Sequence, residues 1–338
     1  MGFTGIVGHE FVGVVEHVVP GDDEEQATCD EVSRLVGKRV VGEINLACTS
    51  CKVCHVGGDR ARNHCPRRTV LGILSKNGTY AEFLTLPSRN LHVVPDNVSD
   101  AAAVFAEPLA AACRIVEQGL SSPEDDVAIL GDGKLGLLIG EVLARRALML
   151  SADADVEARG KTVLLGRHKD KMNLCCGGHD GGGEVNNGQA EAVADQAKAR
   201  VPGGRELVRM DARDEQAVAA LAGSFDLVVD ATGSPQGLSS ALELCRPMGT
   251  VVLKSTCAAG AGFNPAPVVI NEQRVIGSRC GPFDAALELL GAHGEDLDVE
   301  KYISAVFNLE EATAAVEAAS QRGTLKVQIV CSGGGVEA

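Results

Sequence analysis

Residues 127–147 read as strand, glycine turn and helix in unbroken succession. Val127–Leu130 is a short apolar run, Gly131-Asp132-Gly133-Lys134-Leu135-Gly136 matches Gly-x-Gly-x-x-Gly, and an apolar helical stretch follows over Leu135–Ala147. Alone the glycine pattern is weak. Between an apolar strand and a helix it becomes a dinucleotide fingerprint. The first glycine permits the tight turn, the second lets backbone approach a pyrophosphate, and the third packs helix on strand. The helix N-terminus offers N–H donors to the phosphates. The plain alternative is a glycine-rich turn that binds nothing.

The surrounding sequence repeats this rhythm. Thr162–Leu165, Asp226–Val229 and Thr250–Leu253 are short apolar runs, and a helical stretch such as Gly237–Cys245 lies between them. Strands alternating with helices imply a parallel sheet covered on both faces. Residues 1 to about 106 look different, with short runs such as Phe11–Val15 and Arg39–Val41 broken by Gly, Pro and Asp, the texture of a β-rich domain. A helix fits Pro108 to Gln118, ending at Gly119. The expected fold class is therefore α/β, a doubly wound parallel sheet joined to a second, β-rich domain, and 338 residues suit two domains. Two segments interrupt the rhythm: an acidic, Ala-rich stretch at 151–160 and a Gly/Asn-rich one at 176–189, which reads as a surface insertion.

A net charge of −15 disfavours nucleic acid or an anionic membrane as partner. No apolar run is long enough to span a bilayer, and the first ten residues lack the basic and apolar regions of a signal peptide. Twelve cysteines in a chain of this length suggest a reducing compartment with metal use, so a cytoplasmic location is expected.

Four of those cysteines fall in one loop, Cys48-x2-Cys51-x2-Cys54-x10-Cys65. Four thiolates can close a tetrahedral shell around zinc, which staples the loop and leaves no open position for chemistry. An iron–sulfur cluster is the second reading, weakened by the long last spacer, and disulfides are the third. His55 and His64 lie in the same loop and could replace a thiolate. Cys175 and Cys176, with His179, form a further metal-binding possibility.

Coenzyme choice turns on the end of the second strand, where an acid binds the ribose 2′-OH of NAD and an Arg accommodates the 2′-phosphate of NADP. About 20 residues on from the glycines lie Asp153 and Asp155, but the strand itself comes later and ends in Gly166-Arg167-His168-Lys169. No carboxylate is expected at the decisive place, and three cationic or potentially cationic side chains are. Arg167 can meet a phosphate with a bidentate fork, which favours NADP(H) over NAD(H).

Gly8-His9-Glu10 precedes Phe11-Val12-Gly13-Val14-Val15. In chain order there follow Gly37-Lys38-Arg39-Val40, the four-cysteine loop, Ala106-Glu107-Pro108-Leu109, the glycine fingerprint, Asp230-Ala231-Thr232-Gly233 and Leu325-Lys326-Val327. Taken together these motifs resemble the zinc-dependent medium-chain dehydrogenase/reductase superfamily over nearly the whole chain. Glu107 in Glu-Pro-Leu is similar to the polyol/glucose-dehydrogenase-like alcohol dehydrogenases.

The resemblance implies a GroES-like catalytic domain over 1–112, a Rossmann domain over 113–280, and a return segment over 281–338 that completes the first through Ala305–Asn308, a helix at Glu310–Ser320 and a strand at Lys326–Val330. It implies a catalytic zinc with His9 as ligand, Glu10 as ligand or immediate partner, and Glu107 on the metal or its water. Cys48, Cys51, Cys54 and Cys65 would hold structural zinc. The coenzyme would lie in the interdomain cleft against Gly131, Gly133, Lys134, Leu135, Gly136, Gly166, Arg167, His168, Thr232 and Gly233, with Lys254, Ser255 and Thr256 near its nicotinamide half. Asn45 and Phe283 are possible pocket positions. The implied reaction moves a hydride between an alcohol, polyol or sugar and the nicotinamide, with zinc as Lewis acid. Family members are homodimers or homotetramers.

One departure stands out. Members carry a Cys ligand some two dozen residues before Gly-His-Glu, and here only seven residues precede Gly8. Cys29, in an acidic loop, is a poor substitute. The chain is thus expected to be N-terminally incomplete, or to be a non-catalytic nucleotide-binding protein that has lost its catalytic zinc. A zinc-free reductase is the third possibility, and the four-cysteine loop argues against it.

Overall fold

The computed structural model describes residues 3–19, 32–57, 61–145, 160–176, 198–200, 204–256, 263–293 and 297–331. Cys29, Asp153, Asp155, His179 and nearly all of both insertions lie outside these residues. The chain divides into two compact units. One comprises Met1–Glu107, Phe283–Gly294 and Asp298–Ala338, and the other Pro108–Pro282 and Glu295–Leu297.

The first unit is made of short strands. β1 (Gly13–Val14), β2 (Arg39–Gly42) and β6 (Leu91–Val93) pair antiparallel in the order β1-β2-β6, while β3 (Asn45–Leu46), β4 (Thr69–Leu71) and β5 (Ser75–Lys76) form a second small sheet. The expected strand Phe11–Val15 shrinks to Gly13 and Val14, laddered with Val40 and Arg39, and Val15 then exchanges backbone bonds with Lys38 at 3.1 Å and Gly37 at 2.8 Å. Val40, Val41, Leu71, Val94 and Phe105 supply the buried apolar side chains. The return segment adds the parallel pair β14 (Ile303–Asn308) and β15 (Lys326–Val330). Between them, a capping box formed by Asn308 and Glu311 starts a short turn that leads into the helix Ala312–Ala319.

His92, on β6, ties that return segment to the earlier chain. One ring nitrogen lies 3.1 Å from Glu43 and the other 2.7 Å from Asp284, at the start of the helix Phe283–His293. The ring stacks on Phe283 with centroids 5.2 Å apart. Asn97 adds a 2.7 Å bond from its amide to the carbonyl of Gly291. Phe283 is buried in this contact, and Asn45 is buried in its sheet.

The second unit is a seven-stranded sheet. Its strands are β7 (Val127–Leu130), β8 (Thr162–Gly166), β9 (Lys198–Arg200), β10 (Glu206–Asp211), β11 (Phe225–Asp230), β12 (Cys245–Leu253) and β13 (Arg274–Gly277), in the order β13-β12-β11-β7-β8-β10-β9. All neighbours are parallel except β9, which runs antiparallel at one edge. β7 and β8 are buried at every position, as a sheet covered on both faces requires. Reading only the six parallel strands in chain order gives 3-2-1-4-5-6, the doubly wound order, with its switch point between β7 and β11. The helix Lys134–Ala144 is buried from Gly136 to Ala144, which explains why its sequence is apolar on nearly every side. Among the described residues no helix is long and apolar enough to cross a membrane.

The His92 contacts carry a pH signature. Burial opposes a charged imidazole, but hydrogen bonds and charge from Glu43 and Asp284 outweigh it and raise the pKa above the ordinary value. A raised folded-state pKa gives stability that is fully present below the unfolded value of about 6.5 and is lost as pH rises through the folded value. Thermal unfolding from about pH 6 to 9 should therefore show a loss of about 1 kcal/mol that His92→Gln abolishes, discounted for the exposed Asp284 partner. Equal pH profiles for the two proteins would refute the assignment.

Candidate functional site

Three clusters carry the sequence-predicted residues. The first is built on the segment leading into β1. Backbone N–H groups of Gly78, Thr79 and Tyr80 donate to the carbonyls of Ile6, Gly8 and Val7 at 2.7, 3.0 and 3.1 Å. The fit is close enough that a Cβ on Gly72 or Gly78 would meet the Gly8 carbonyl oxygen at 2.0 or 2.1 Å. His9 and Glu10 emerge from this clamped backbone. Glu107 comes from a remote part of the sequence, the first turn of the helix Ala106–Glu117, where Pro108 costs no backbone bond and a carboxylate suits the helix dipole. The ligand atoms of His9, Glu10 and Glu107 lie within 4.8 Å of one another, and all three side chains are half-buried. One imidazole and two carboxylates form a donor set that suits zinc.

Lys326, at the start of β15, completes this cluster. The sequence pattern Leu-Lys-Val marked it, but nothing there assigned it a role. Its ammonium donates to the Glu10 carboxylate and lies 5.1 Å from the centre of the Phe105 ring. The side chain is almost fully buried, and burial pulls its pKa down to about 8. Glu10 thus stands as the immediate partner of a cation already supplied by the chain.

The second cluster is the cysteine loop. Cys51 precedes the short helix Lys52–Val56, and Cys65 follows the turn Arg62–His64. Sulfur separations are 3.4 Å for Cys51–Cys54, 3.8 Å for Cys51–Cys65 and 3.5 Å for Cys48–Cys65. A tetrahedral zinc with bonds of about 2.3 Å needs sulfurs about 3.8 Å apart, so the loop is shaped for that ion. The group comprises the four thiols, and neither His55 nor His64 enters it. Electrostatics point the same way. The backbone N–H of Ser50 pulls Cys48 down to about 5 and the N–H of Cys54 lowers Cys51, while burial pushes Cys54 up to about 11. Four thiolates this close cannot all ionise unless a cation sits among them. The Cys48 amide also donates toward the Cys65 sulfur at 3.5 Å.

The third cluster is the nucleotide turn in the second unit. Gly131 sits at φ +109°, and a Cβ on Gly136 would lie 2.0 Å from the Gly131 carbonyl oxygen. Gly133 caps the helix Lys134–Ala144, and the side chains of Lys134 and Leu135 are half-exposed in its first turn. Across the switch point, Asp230 at the end of β11 accepts from the Thr232 N–H at 2.9 Å and its hydroxyl at 2.7 Å, which fixes the exposed turn Thr232-Gly233. Lys254 is anchored to the Ala111 carbonyl at 2.6 Å and the Ser278 hydroxyl at 3.2 Å.

A second correction concerns the end of β8. The sequence reading places no carboxylate there. In the structure Asp132 reaches across from the glycine turn, and its Oδ2 accepts from the backbone N–H of Arg167 at 2.7 Å, the N–H of His168 at 2.6 Å and the His168 ring at 3.0 Å. Sequence distance hid it, whereas the pairing of Leu130 with Leu165 brings the two turns side by side. The Arg167 side chain is exposed. At the end of β10, Asp211 and Arg213 form a further ion pair that the sequence reading missed.

Cys175 and Cys176 are buried beside Glu141 rather than beside an open site. Arg145 already pairs with the Glu141 carboxylate and lies 3.6 Å from the Cys176 sulfur, so a guanidinium fills the cationic position of that group.

Comparison with known proteins bears on the fold and the family. Residues 2–96 match the alcohol dehydrogenase GroES-like domain, and residues 192–292 match the zinc-binding dehydrogenase domain. L-threonine 3-dehydrogenase of Marinomonas sp. (strain MWYL1) is 33% identical over 137 residues, covering 40% of this chain and 36% of that protein. The chain thus matches little more than a third of that curated relative's length. A protein of Sinorhizobium meliloti 1021 solved bound to NADP superposes with a TM-score of 0.70 at 23% identity, covering 96% of this chain and 83% of that one. The short chain alcohol dehydrogenase of Escherichia coli CFT073, complexed with NADH, gives 0.72 at 21% identity, with 96% and 82% covered. The chain belongs to the zinc-dependent medium-chain dehydrogenase/reductase superfamily.

The cysteine loop yields a metal prediction. Protein refolded with zinc should lose one zinc per chain on Cys65→Ser, measured by elemental analysis, and should unfold at lower denaturant by roughly 3 kcal/mol or more. Unchanged metal content in that variant would disprove a four-thiolate site.

Proposed function

We propose that this chain is an oxidoreductase that passes a hydride between an alcohol, polyol or sugar carbon and a nicotinamide coenzyme, with NADP(H) favoured over NAD(H). The observation that carries the reading is the convergence of His9, Glu10 and Glu107, drawn from opposite ends of the first 107 residues, within 4.8 Å. A purely structural cluster has no need of an imidazole gathered with two carboxylates. Zinc held there supplies a Lewis acid that lowers the pKa of an alcohol oxygen.

The chain's own residues do the rest. His9 offers a neutral ring nitrogen and Glu107 a carboxylate to the cation. Lys326 holds the Glu10 carboxylate in a fixed place beside them. Backbone at Gly131 and Gly133 takes the pyrophosphate close, and Gly136 lets the helix Lys134–Ala144 approach the turn. Thr232 and Gly233 bound the switch point. The exposed Arg167 fork meets the 2′-phosphate, with Gly166 before it at the strand end and His168 beside it.

One observation favours a second reading. Glu10 is already paired with Lys326, which weakens it as a third ligand beside His9 and Glu107. On that reading the chain binds the nucleotide without catalysis, and it carries one zinc instead of two.

Calorimetry with NADP+ and NAD+, elemental analysis and a panel of polyols separate these readings. Two zincs per chain with NADP+-dependent turnover support the enzyme. Arg167→Ala should raise the KM for NADP+ about tenfold, a loss of about 1.4 kcal/mol, and leave that for NAD+ nearly unchanged. Folded protein that takes up neither coenzyme would end the proposal.

A further inference from the structure

We propose that Asp132 is a specificity-determining residue of the nucleotide site: its carboxylate, delivered from the glycine turn to the end of β8, holds down the margin by which NADP(H) is favoured and keeps NAD(H) usable. The inference rests on the nucleotide-binding reading given above.

The place matters first. In a doubly wound sheet the acid that accepts the adenosine ribose hydroxyls belongs at the end of the second strand. Here that strand is β8, and its end carries Gly166-Arg167-His168. The register sets Leu130 beside Leu165, and the Gly131 N–H donates to the Leu165 carbonyl at 2.9 Å. Asp132 therefore stands next to residue 167 in space although 35 positions separate them in sequence. Its Oδ2 lies within 2.7 Å of two consecutive backbone nitrogens at the strand end, the position that a strand-end acid would occupy.

A neighbouring residue is shaped to admit it. A Cβ on Gly166 would fall 2.6 Å from the Asp132 Cβ and 2.8 Å from its Oδ2. The bare strand end and the incoming carboxylate are thus two halves of one arrangement. The carboxylate is also held ionised. Burial works to raise its pKa, but the N–H bonds from His168 and Arg167 and the His168 ring outweigh it, and the carboxyl sits below the usual range.

An ionised carboxylate here acts on the two coenzymes in opposite senses. It can accept from a ribose hydroxyl, and it repels a 2′-phosphate of like charge. It also occupies the two N–H groups that an incoming phosphate would otherwise use. The guanidinium of Arg167 pulls the other way from the exposed side of the same turn. Arg213, a further cation at the end of β10, is taken up by a bidentate pairing with Asp211.

The test uses the full chain with adenosine 5′-diphosphate and its 2′-phosphorylated counterpart, adenosine 2′,5′-bisphosphate, as probes in calorimetry. Asp132→Asn keeps an oxygen for the two N–H groups and removes the charge. It should shift the ratio of the two dissociation constants about tenfold toward the 2′-phosphorylated probe. Asp132→Ala also frees the two N–H groups and should shift the ratio further in the same direction. The ratio of kcat/KM for NADP+ over NAD+ should follow. If both variants, still folded by circular dichroism, weaken the two probes by the same factor, Asp132 is only a clamp between turns and the inference fails. Should the unaltered protein take up neither probe while folded, the nucleotide reading itself falls and takes this inference with it.

Discussion

Everything at the switch-point end of the seven-stranded sheet depends on one close approach, between the N-terminus of the helix Lys134–Ala144 and the carbonyl of Gly131. With 2.0 Å from a would-be Cβ to that oxygen, only glycine at 136 lets the helix start where it does. The helix start fixes Gly133 as its cap. It also fixes Asp132, which must then project sideways to the neighbouring strand end. A backbone contact so determines where a charge is placed. The parallel register of β7 with β8 and β11 supplies the remainder, since it levels the ends of three strands to within a residue.

The first unit solves a comparable problem without a large core. Its strands are only two to four residues long apart from the return pair, and so much loop backbone must find partners elsewhere. The segment Ile6–Gly8 does so by lying along Gly78–Tyr80, and the return segment does so through β14, β15 and the His92 contacts. The cysteine loop lacks even that support. Its short helix Lys52–Val56 buries no residue, and Cys65 is the one fully buried thiol of the four. A metal at the four sulfurs would supply the cohesion that apolar packing does not.

Much of this was legible in the sequence because the signals were local. The apolar runs at β7, β8 and β11, the glycine turn, the four-cysteine spacing and the strand Lys326–Val330 all lie where their patterns put them. The helix expected at Glu310–Ser320 starts two residues late, because Asn308 and Glu311 form a capped turn first. β10 escaped notice because Arg209 and the flanking acids break its apolar pattern. The structure hides the Arg209 guanidinium in bonds to the Met172 and Cys175 carbonyls, and a charged residue then passes as a strand interior. Asp132 and Lys326 were visible as letters, yet their roles were not. Both act on partners far away in sequence, and only pairing between strands tells which residues become neighbours.

Lys326 bears on what the His9 cluster can hold. An ammonium and a divalent cation compete for the Glu10 carboxylate, because one negative charge shared between two cations holds each less strongly than it would hold one alone. The pairing observed commits Glu10 to the lysine, so a cation at His9 and Glu107 gains from Glu10 chiefly through its field. Burial has already weakened the hold of Lys326 on its proton. The arrangement keeps net charge near the cluster low, with two carboxylates facing one ammonium, and leaves about one negative charge to attract a metal. A chain that used Glu10 as a direct ligand would be better served by an uncharged residue at 326. On the function proposed above, the lysine there assigns Glu10 to orienting and balancing the centre, while His9 and Glu107 would provide its bonds.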